Sequence, residues 1–406
     1  MLNRAWLTLT LALIVAALLF REASVLLAAL ALLLAQLASW IWGRYALTGV
    51  TYERSLSEQR AFFGEQVTLD VRAANRKLLP LAWLSIEDEF PLALRLVRGR
   101  LAPSHKPQRM LLNNLLTLRW YERITRRYRI NCIARGEHIF GPVKLRTGDV
   151  FGFVWREEDN NETAKLIVYP RVLPVGGQEI PSNQLIGLVR ARRRIVEDPL
   201  RLAGIREYAP GDPMRRIHWK ATARQGELQS KLLEPSTTAD ILLLLNVSTF
   251  DPPWLGLRED RLELAIITVA SLANRELLAG HPVGLIANSN AYGADQAVRI
   301  LPGRDPGQFQ RIIEALARMT PFERHSFPAF LRKQMRNCAW GTTAVVVSGI
   351  LTDELAATLV RLRRAGRDVT LVLVGDDEPR PVLPGIPVLL VSGEQEWRDM
   401  DAIALR

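Results

Sequence analysis

The sequence predicts a three-part chain of mixed α/β and β class: a transmembrane helical hairpin, a β-sandwich, and a C-terminal α/β domain built on a mostly parallel sheet. Three observations carry this prediction. Residues 5–20 and 23–42 contain no charged side chain, short segments between 50 and 168 alternate apolar and polar positions, and from residue 239 apolar strands alternate with amphipathic helices. The 406 residues, 48% hydrophobic and 23% charged, exceed one compact unit of ordinary size and predict two or three domains. With 26 Gly and 23 Pro in no short period and only 2 Cys, collagen, pervasive disorder and a disulfide-stapled scaffold are excluded. Cys132 and Cys338 lie far apart and read as reduced thiols of a cytosolic compartment rather than as metal ligands. The 53 basic against 42 acidic residues, a net charge of +11, favour an anionic neighbour: phospholipid, nucleic acid or an acidic protein face.

Residues 1–48 form the predicted hairpin, interrupted only by Arg21 and Glu22. A cleaved signal peptide is the rival reading of the first run. It fits poorly, because no small-x-small cleavage site follows and the second apolar run begins almost at once. Trp6, Trp40, Trp42 and Tyr45 sit where interfacial anchors belong. Arg4 precedes the first helix, and Arg44, Arg54 and Arg60 follow the second, so the positive-inside rule places both termini in the cytoplasm, with the body beneath an inner membrane.

Residues 49–172 form the predicted sandwich, with strands at 50–56, 66–73, 82–90, 112–118, 124–133 and 166–168. Within 123–130, Ile124, Tyr128 and Ile130 share one face and Arg123, Thr125, Arg127 and Arg129 the other. This reads as a half-buried strand with a solvated basic face, ahead of a nucleic-acid surface. Residues 173–238 read as a linker and motif segment, where Arg190, Arg192, Arg193 and Arg194 form a cationic cluster suited to an exposed connector or to docking an acidic partner. Residues 239–406 form the α/β domain, with strands at 240–247, 282–287, 343–347, 369–374 and 388–390 and helices at 257–278, 306–319 and 355–364. Thr352 is placed to cap the last helix, with Asp353 and Glu354 in its first turn.

The most distinctive stretch is 204–224. Pro210-Gly211 makes a turn, Asp212 can cap a short helix, and Pro213 suits its first position. Arg215 or Arg224 can pair with Asp212, and Trp219 offers a slab for a guanidinium or for the Lys220 stem. The segment reads first as an ion-pair and packing knot, then as a docking surface. Catalysis comes last, because His218 has no nucleophile or carboxylate partner at informative spacing.

Here the chain resembles a bacterial family, the domain of unknown function 58 family. Its hallmark is matched at Arg206, Tyr208, Gly211, Asp212, Arg215, Ile217, Trp219, Lys220 and Arg224. The likeness extends to the N-terminal hairpin, to Arg135-Gly136, Gly141-Pro142, Gly148-Asp149 and Val168-Tyr169-Pro170, and to a C-terminal region similar to a von Willebrand factor A domain. The resemblance implies a partner of the MoxR-type AAA+ ATPase class, a role as adaptor or in maturation of other proteins, and no established enzymatic activity. In A domains a metal-ion-dependent adhesion site requires Asp-x-Ser-x-Ser, whose oxygens hold a hard cation. This chain has Asn246, Ser248 and Phe250 in that stretch, Ser348 where an acid usually stands, and Asp251 as a possible substitute. No phosphate loop, dinucleotide fingerprint, nucleophile elbow or zincin motif is present in the sequence. The acidic run Asp376-Asp377-Glu378 lies at a strand's carboxyl end, where α/β proteins bind ligands, and also reads as a solvated turn.

The expected function is a membrane-anchored, cytoplasm-facing, non-enzymatic adaptor, with lipid and an ATPase as partners and no cofactor, small-molecule substrate or nucleic acid. A metal-dependent ligand-binding protein using Asn246, Ser248, Asp251 and Ser348 is the alternative.

Overall fold

The computed structural model describes residues 4–150, 153–177, 197–209, 212, 214, 217–235, 240–252, 255–291, 296–323, 325–339, 341–376 and 381–406. The arginine cluster 190–194, Gly211 and Arg215 of the motif, and Asp377 and Glu378 lie outside them. The chain divides into two compact units, Met1–Arg171 with Ile313–Met319, and Val172–Ile312 with Thr320–Arg406.

The first unit opens with apolar helices Arg4–Phe20 and Ala23–Tyr45. The chain reverses through Arg21, whose φ of 55° is left-handed. The second helix has 23 residues and is long and apolar enough to cross a membrane. At about 1.5 Å per residue it is ~35 Å long, against a hydrocarbon layer of roughly 30 Å. The first helix is apolar but shorter, so one or two helices here can span a bilayer. Gln36 Nε2 donates to the Trp6 carbonyl at 3.3 Å, giving the one amide of the second helix a partner on the first. The far end of the second helix is seated on the sheets. Ser39 donates to Asp149 at 2.8 Å, Arg156 Nε donates to the Gly43 carbonyl at 3.0 Å, and a side chain larger than hydrogen at Gly43 would collide with Val154.

Two sheets share one core. The first orders Val50–Leu56, Gln66–Asn75, Arg123–Asn131 and Arg95–Leu96, and the second orders Trp155–Asn160, Val143–Gly148, Leu81–Pro91, Arg109–Leu118 and Leu101–Pro103. Period-two alternation sends Val67, Leu69 and Val71 of one sheet into the same apolar cluster as Leu84, Ile86, Phe90 and Leu112 of the other. Each such side chain contributes about 1.5–3 kcal/mol by leaving water. On the solvent face of Arg123–Asn131, Arg127 pairs across the sheet with Asp70 at 2.9 Å, and its guanidinium holds the Asp70 carboxyl below its ordinary range. The predicted basic face is therefore partly neutralised by its neighbour strand. Arg126, on the other face, donates to Asn114 at 2.8 Å.

Burial holds the His138 imidazole below its ordinary pKa, against the Ala134 carbonyl that takes its Nε2 proton at 2.9 Å. The unfolded chain therefore binds a proton the native state refuses as pH falls through about 6.5, so stability is full above that value and declines below it. Urea unfolding at neutral and mildly acidic pH is expected to show this decline, with a smaller pH dependence in His138→Gln. Equal pH dependence in both proteins would exclude His138 as its source.

The second unit contains a sheet ordered Ala297–Gly303, Val283–Ala291, Ile241–Leu245, Thr343–Ser348, Asp368–Val374 and Val388–Val391. Its five strands from Val283–Ala291 onward pair in parallel, Ala297–Gly303 is an antiparallel edge, and Met319–Glu323 also pairs with Val283–Ala291. Helices Glu259–Leu278, Phe327–Arg336 and Asp353–Arg364 accompany it, the last capped by Thr352, which accepts from Leu355 N at 3.2 Å. Strand Ala297–Gly303 and helix Phe327–Arg336 are additions to the elements expected from sequence. The order reverses at Ile241–Leu245, whose neighbours are Val283–Ala291 on one side and Thr343–Ser348 on the other. That reversal makes the carboxyl ends of Ile241–Leu245 and Thr343–Ser348 the place where open α/β sheets receive ligands. Val175–Gly177 pairs in parallel with Ile403–Leu405, and Glu197–Glu207 forms a two-stranded antiparallel sheet with Gln229–Pro235.

Candidate functional site

The motif segment is the connection of that two-stranded sheet. Helix Trp219–Gln225 lies within it, and its N-cap is His218, whose Nδ1 accepts from Ala221 N at 3.1 Å. Gly226, at φ 76°, ends the helix in the left-handed conformation that glycine adopts without strain. The helix is tied back to the strand by His218 N on the Gln229 carbonyl at 2.8 Å and by Gln229 N on Thr222 Oγ1 at 3.0 Å. Tyr208 N donates to the Leu228 carbonyl at 2.9 Å across the hairpin.

The pairing of Asp212 with Arg215 and its capping of a helix beginning at Pro213 lie outside the described residues. The partner of Asp212 is Arg206, with Nη2 2.7 Å from Oδ1, while Oδ2 accepts from Ala209 N at 3.2 Å. The carboxylate closes the loop onto its own strand, and the Arg206 guanidinium holds its pKa below the ordinary range. Arg224 and Lys220 are exposed on the short helix. Among the described residues no guanidinium lies over Trp219, whose ring is 65% exposed. Met214 is 70% exposed, and Ile205 and Leu228 also face solvent. The Asp212–Arg206 pair of the motif thus holds a turn, while Trp219, Met214, Ile205 and Leu228 stay outside on the segment that also exposes Lys220 and Arg224.

At the sheet's switch point, Asn246, Ser248 and Ser348 do converge. Asn246 Nδ2 donates to Ser348 Oγ at 3.0 Å, and its Oδ1 accepts from Asn288 Nδ2 at 3.1 Å and Ser248 N at 3.2 Å. Ser348 Oγ donates to the Ile350 carbonyl at 2.6 Å, and Ser248 Oγ donates to Glu323. Asp251 is exposed and stands apart from this buried set. The Phe250 ring lies 5.3 Å from the Arg258 guanidinium carbon.

Beside this network sits a cation the sequence did not reveal. Arg261, in the first turn of Glu259–Leu278, is 3% exposed. It donates to Glu394 from Nε at 2.8 Å and to the Gly349 carbonyl from Nη1 at 3.1 Å, and its Nη2 lies 2.7 Å from Glu394. Gly375, at φ 137°, leaves the guanidinium room, since a Cβ there would stand 2.9 Å from Arg261 Cζ. The available signal was a basic residue in a helix's first turn, where the dipole favours anions. Asp376 turns its carboxylate onto Gly393 N at 2.7 Å and Glu394 N at 3.0 Å.

Residues 204–399 match the family model described as protein of unknown function DUF58, and the match begins inside the motif hairpin. The chain is also 24% identical over 341 residues, 82% of this chain and 78% of the relative, to the uncharacterized protein YeaD of Bacillus subtilis (strain 168). Among solved structures, the CARDB domain of a Pyrococcus furiosus protein is 12% identical with a TM-score of 0.21, covering 29% of this chain and 91% of that one. A non-cellulosomal cohesin from Archaeoglobus fulgidus is 8% identical with a TM-score of 0.21, over 30% and 91%. A β-glucosidase from Listeria innocua is 15% identical with a TM-score of 0.19, over 29% and 16%. Likenesses of that size fix neither fold nor function.

Proposed function

We propose that this chain is a membrane-anchored, cytoplasm-facing adaptor with no reaction of its own, working with a MoxR-type AAA+ ATPase in protein complex maturation or in a cell-envelope process. In this reading the two N-terminal helices form a transmembrane hairpin in the inner membrane with both termini inside, and the second unit is a von Willebrand factor A-like platform. The observation that carries the reading is the motif hairpin, in which Asp212 and Arg206 are spent on each other while Trp219, Met214, Ile205 and Leu228 stay outside. Exposed Trp and Met beside cations have the composition of interface hot spots. Tethering raises the effective concentration of an adaptor toward partners at the same membrane, which makes a modest docking surface sufficient.

The metal-dependent alternative fits the donor set poorly. A hard divalent cation takes about six oxygens, several of them carboxylate. Here the Asn246 and Ser348 groups are engaged with each other and with backbone, and among the described residues the carboxylate bonded to the set is Glu323. Among the described residues no three His, Cys, Asp or Glu side chains are grouped to hold a metal. The test is recovery of an AAA+ ATPase with the tagged full chain from detergent extract of its own cells. Trp219→Ala is expected to reduce that recovery about tenfold or more at unchanged thermal melting. An extract in which the intact chain retains no ATPase refutes the reading.

A further inference from the structure

We propose that the end of the sandwich beneath helix Ala23–Tyr45 holds an acidic phospholipid, its phosphate between Arg76 and Lys77 and an acyl chain along Ile41, Trp42 and Tyr45. This rests on the reading of that helix as membrane-spanning. A cavity of about 750 Å³ opens there, and its lining joins the last two turns of the helix to the loop after strand Gln66–Asn75. One wall is apolar, from Ala38, Ile41, Trp42 and Tyr45, and the other carries Arg76 and Lys77. That division matches a lipid, which presents a charged phosphate next to a hydrocarbon chain, and it sits where a spanning helix leaves the hydrocarbon layer.

Of the two cations, Lys77 is held by its ammonium and Arg76 by its backbone. The Lys77 ammonium donates to the Ala46 carbonyl and, at 2.7 Å, to the Thr48 carbonyl, at the helix's C-terminal end. Burial pushes Lys77 down to about 8, so a neighbouring anion stabilises its charged form. Arg76 is exposed, with its backbone N on the Gly49 carbonyl at 2.8 Å, and it joins no ion pair among the described residues. Asn75 Nδ2 binds the Leu79 and Arg119 carbonyls, each at 2.9 Å, and Tyr121 N donates to the Lys77 carbonyl at 3.3 Å, so two loops are bolted together at this end. From them Leu78, Trp120 and Tyr121 project, 72%, 64% and 67% exposed, beside Arg119 and Arg123. Exposed apolar and aromatic tips among arginines are the composition of a surface seated in lipid headgroups, and they come from the loop that lines the cavity and the loop bonded to it. A free phosphate would satisfy the cations but leave the apolar wall uncovered.

The experiment is native mass spectrometry of the full chain in detergent, titrated with dioleoyl phosphatidylglycerol, dioleoyl phosphatidylcholine or inorganic phosphate. Before it, carbonate washing of membranes fixes whether the chain is integral. Retention of phosphatidylglycerol about tenfold above phosphatidylcholine, lost in Arg76→Ala and in Ala38→Trp, supports the site. Arg76→Ala removes an exposed side chain and Ala38→Trp fills the apolar wall, so the two variants probe head and tail separately. An integral protein that binds both lipids equally, or whose phosphatidylglycerol is displaced by inorganic phosphate, overturns the site and leaves the anchor standing. A chain released by carbonate overturns both.

Discussion

Replacing Asp88 by Ala is expected to lower the unfolding free energy of the sandwich by about 3–5 kcal/mol, a drop in melting temperature of roughly 10 °C or more. Arg54 and Asp88 are 4% and 2% exposed, joined by Nη2 on Oδ1 at 2.5 Å and Nε on Oδ2 at 2.9 Å, and Tyr52 donates to the same Oδ2 at 2.6 Å. Burial, with the Asp88 charge beside it, raises the Tyr52 hydroxyl well above its ordinary pKa, so it stays a proton donor. The guanidinium also donates to the Phe140 carbonyl at 3.0 Å, linking three strands. Truncating the carboxylate strands a cation away from water, which costs far more than the intact pair contributes. Tyr52→Phe removes one hydrogen bond to a charged group and is expected to cost about 1.5–3 kcal/mol. Joint replacement, Arg54→Met with Asp88→Leu, is expected to recover much of the Asp88→Ala loss. Calorimetric or urea unfolding of the three variants reads this directly, and an Asp88→Ala protein within about 1 kcal/mol of the parent means the pair is open to solvent.

What was legible in the sequence was whatever local periodicity encodes. Gln66–Asn75 alternates, and Ile241–Leu245 is apolar at every position, which marks a strand covered on both faces. Ala297–Gly303 escaped because Arg299 and Pro302 break its pattern at an antiparallel edge, and Phe327–Arg336 because Pro328 and three basic residues resemble a loop until the helix is seen to start there. The motif's position was readable from its residue types, but the partner of Asp212 was not. Spacing along a helix favoured Arg215 or Arg224, whereas the hairpin brings back Arg206 from six residues upstream. His218 lies outside the residue types favoured as N-caps, so the start of helix Trp219–Gln225 was hidden. Asn246 and Ser348 were readable as neighbours only through the resemblance to an A domain, since 102 positions separate them. Arg261 and Glu394, 133 positions apart, had no such pattern.

That last pair sets the second large effect: Arg261→Ala is expected to destabilise the α/β unit by about 3–5 kcal/mol. The variant leaves Glu394, 14% exposed, with Arg258 at 4.0 Å, and it removes the donor to the Gly349 carbonyl. Gly349 and Gly375 lie against the Arg261 side chain, so neither position offers a side chain to fill the hole left by Ala. Joint replacement of Arg261 and Glu394 by Met is expected to cost less than Arg261→Ala alone, because no charge is then buried without a partner. The outcome also bears on what this edge of the sheet is for. The Arg261 guanidinium already neutralises the Glu394 carboxylate beside the amide and hydroxyl network, without a dissociable ion. Thermal melting of the parent protein is therefore expected to be unchanged by millimolar Mg²⁺, and Arg261→Ala is not expected to be rescued by it. A melting temperature that rises with Mg²⁺ in the parent would restore the metal-dependent reading, because only a native-state site gains stability from bound cation.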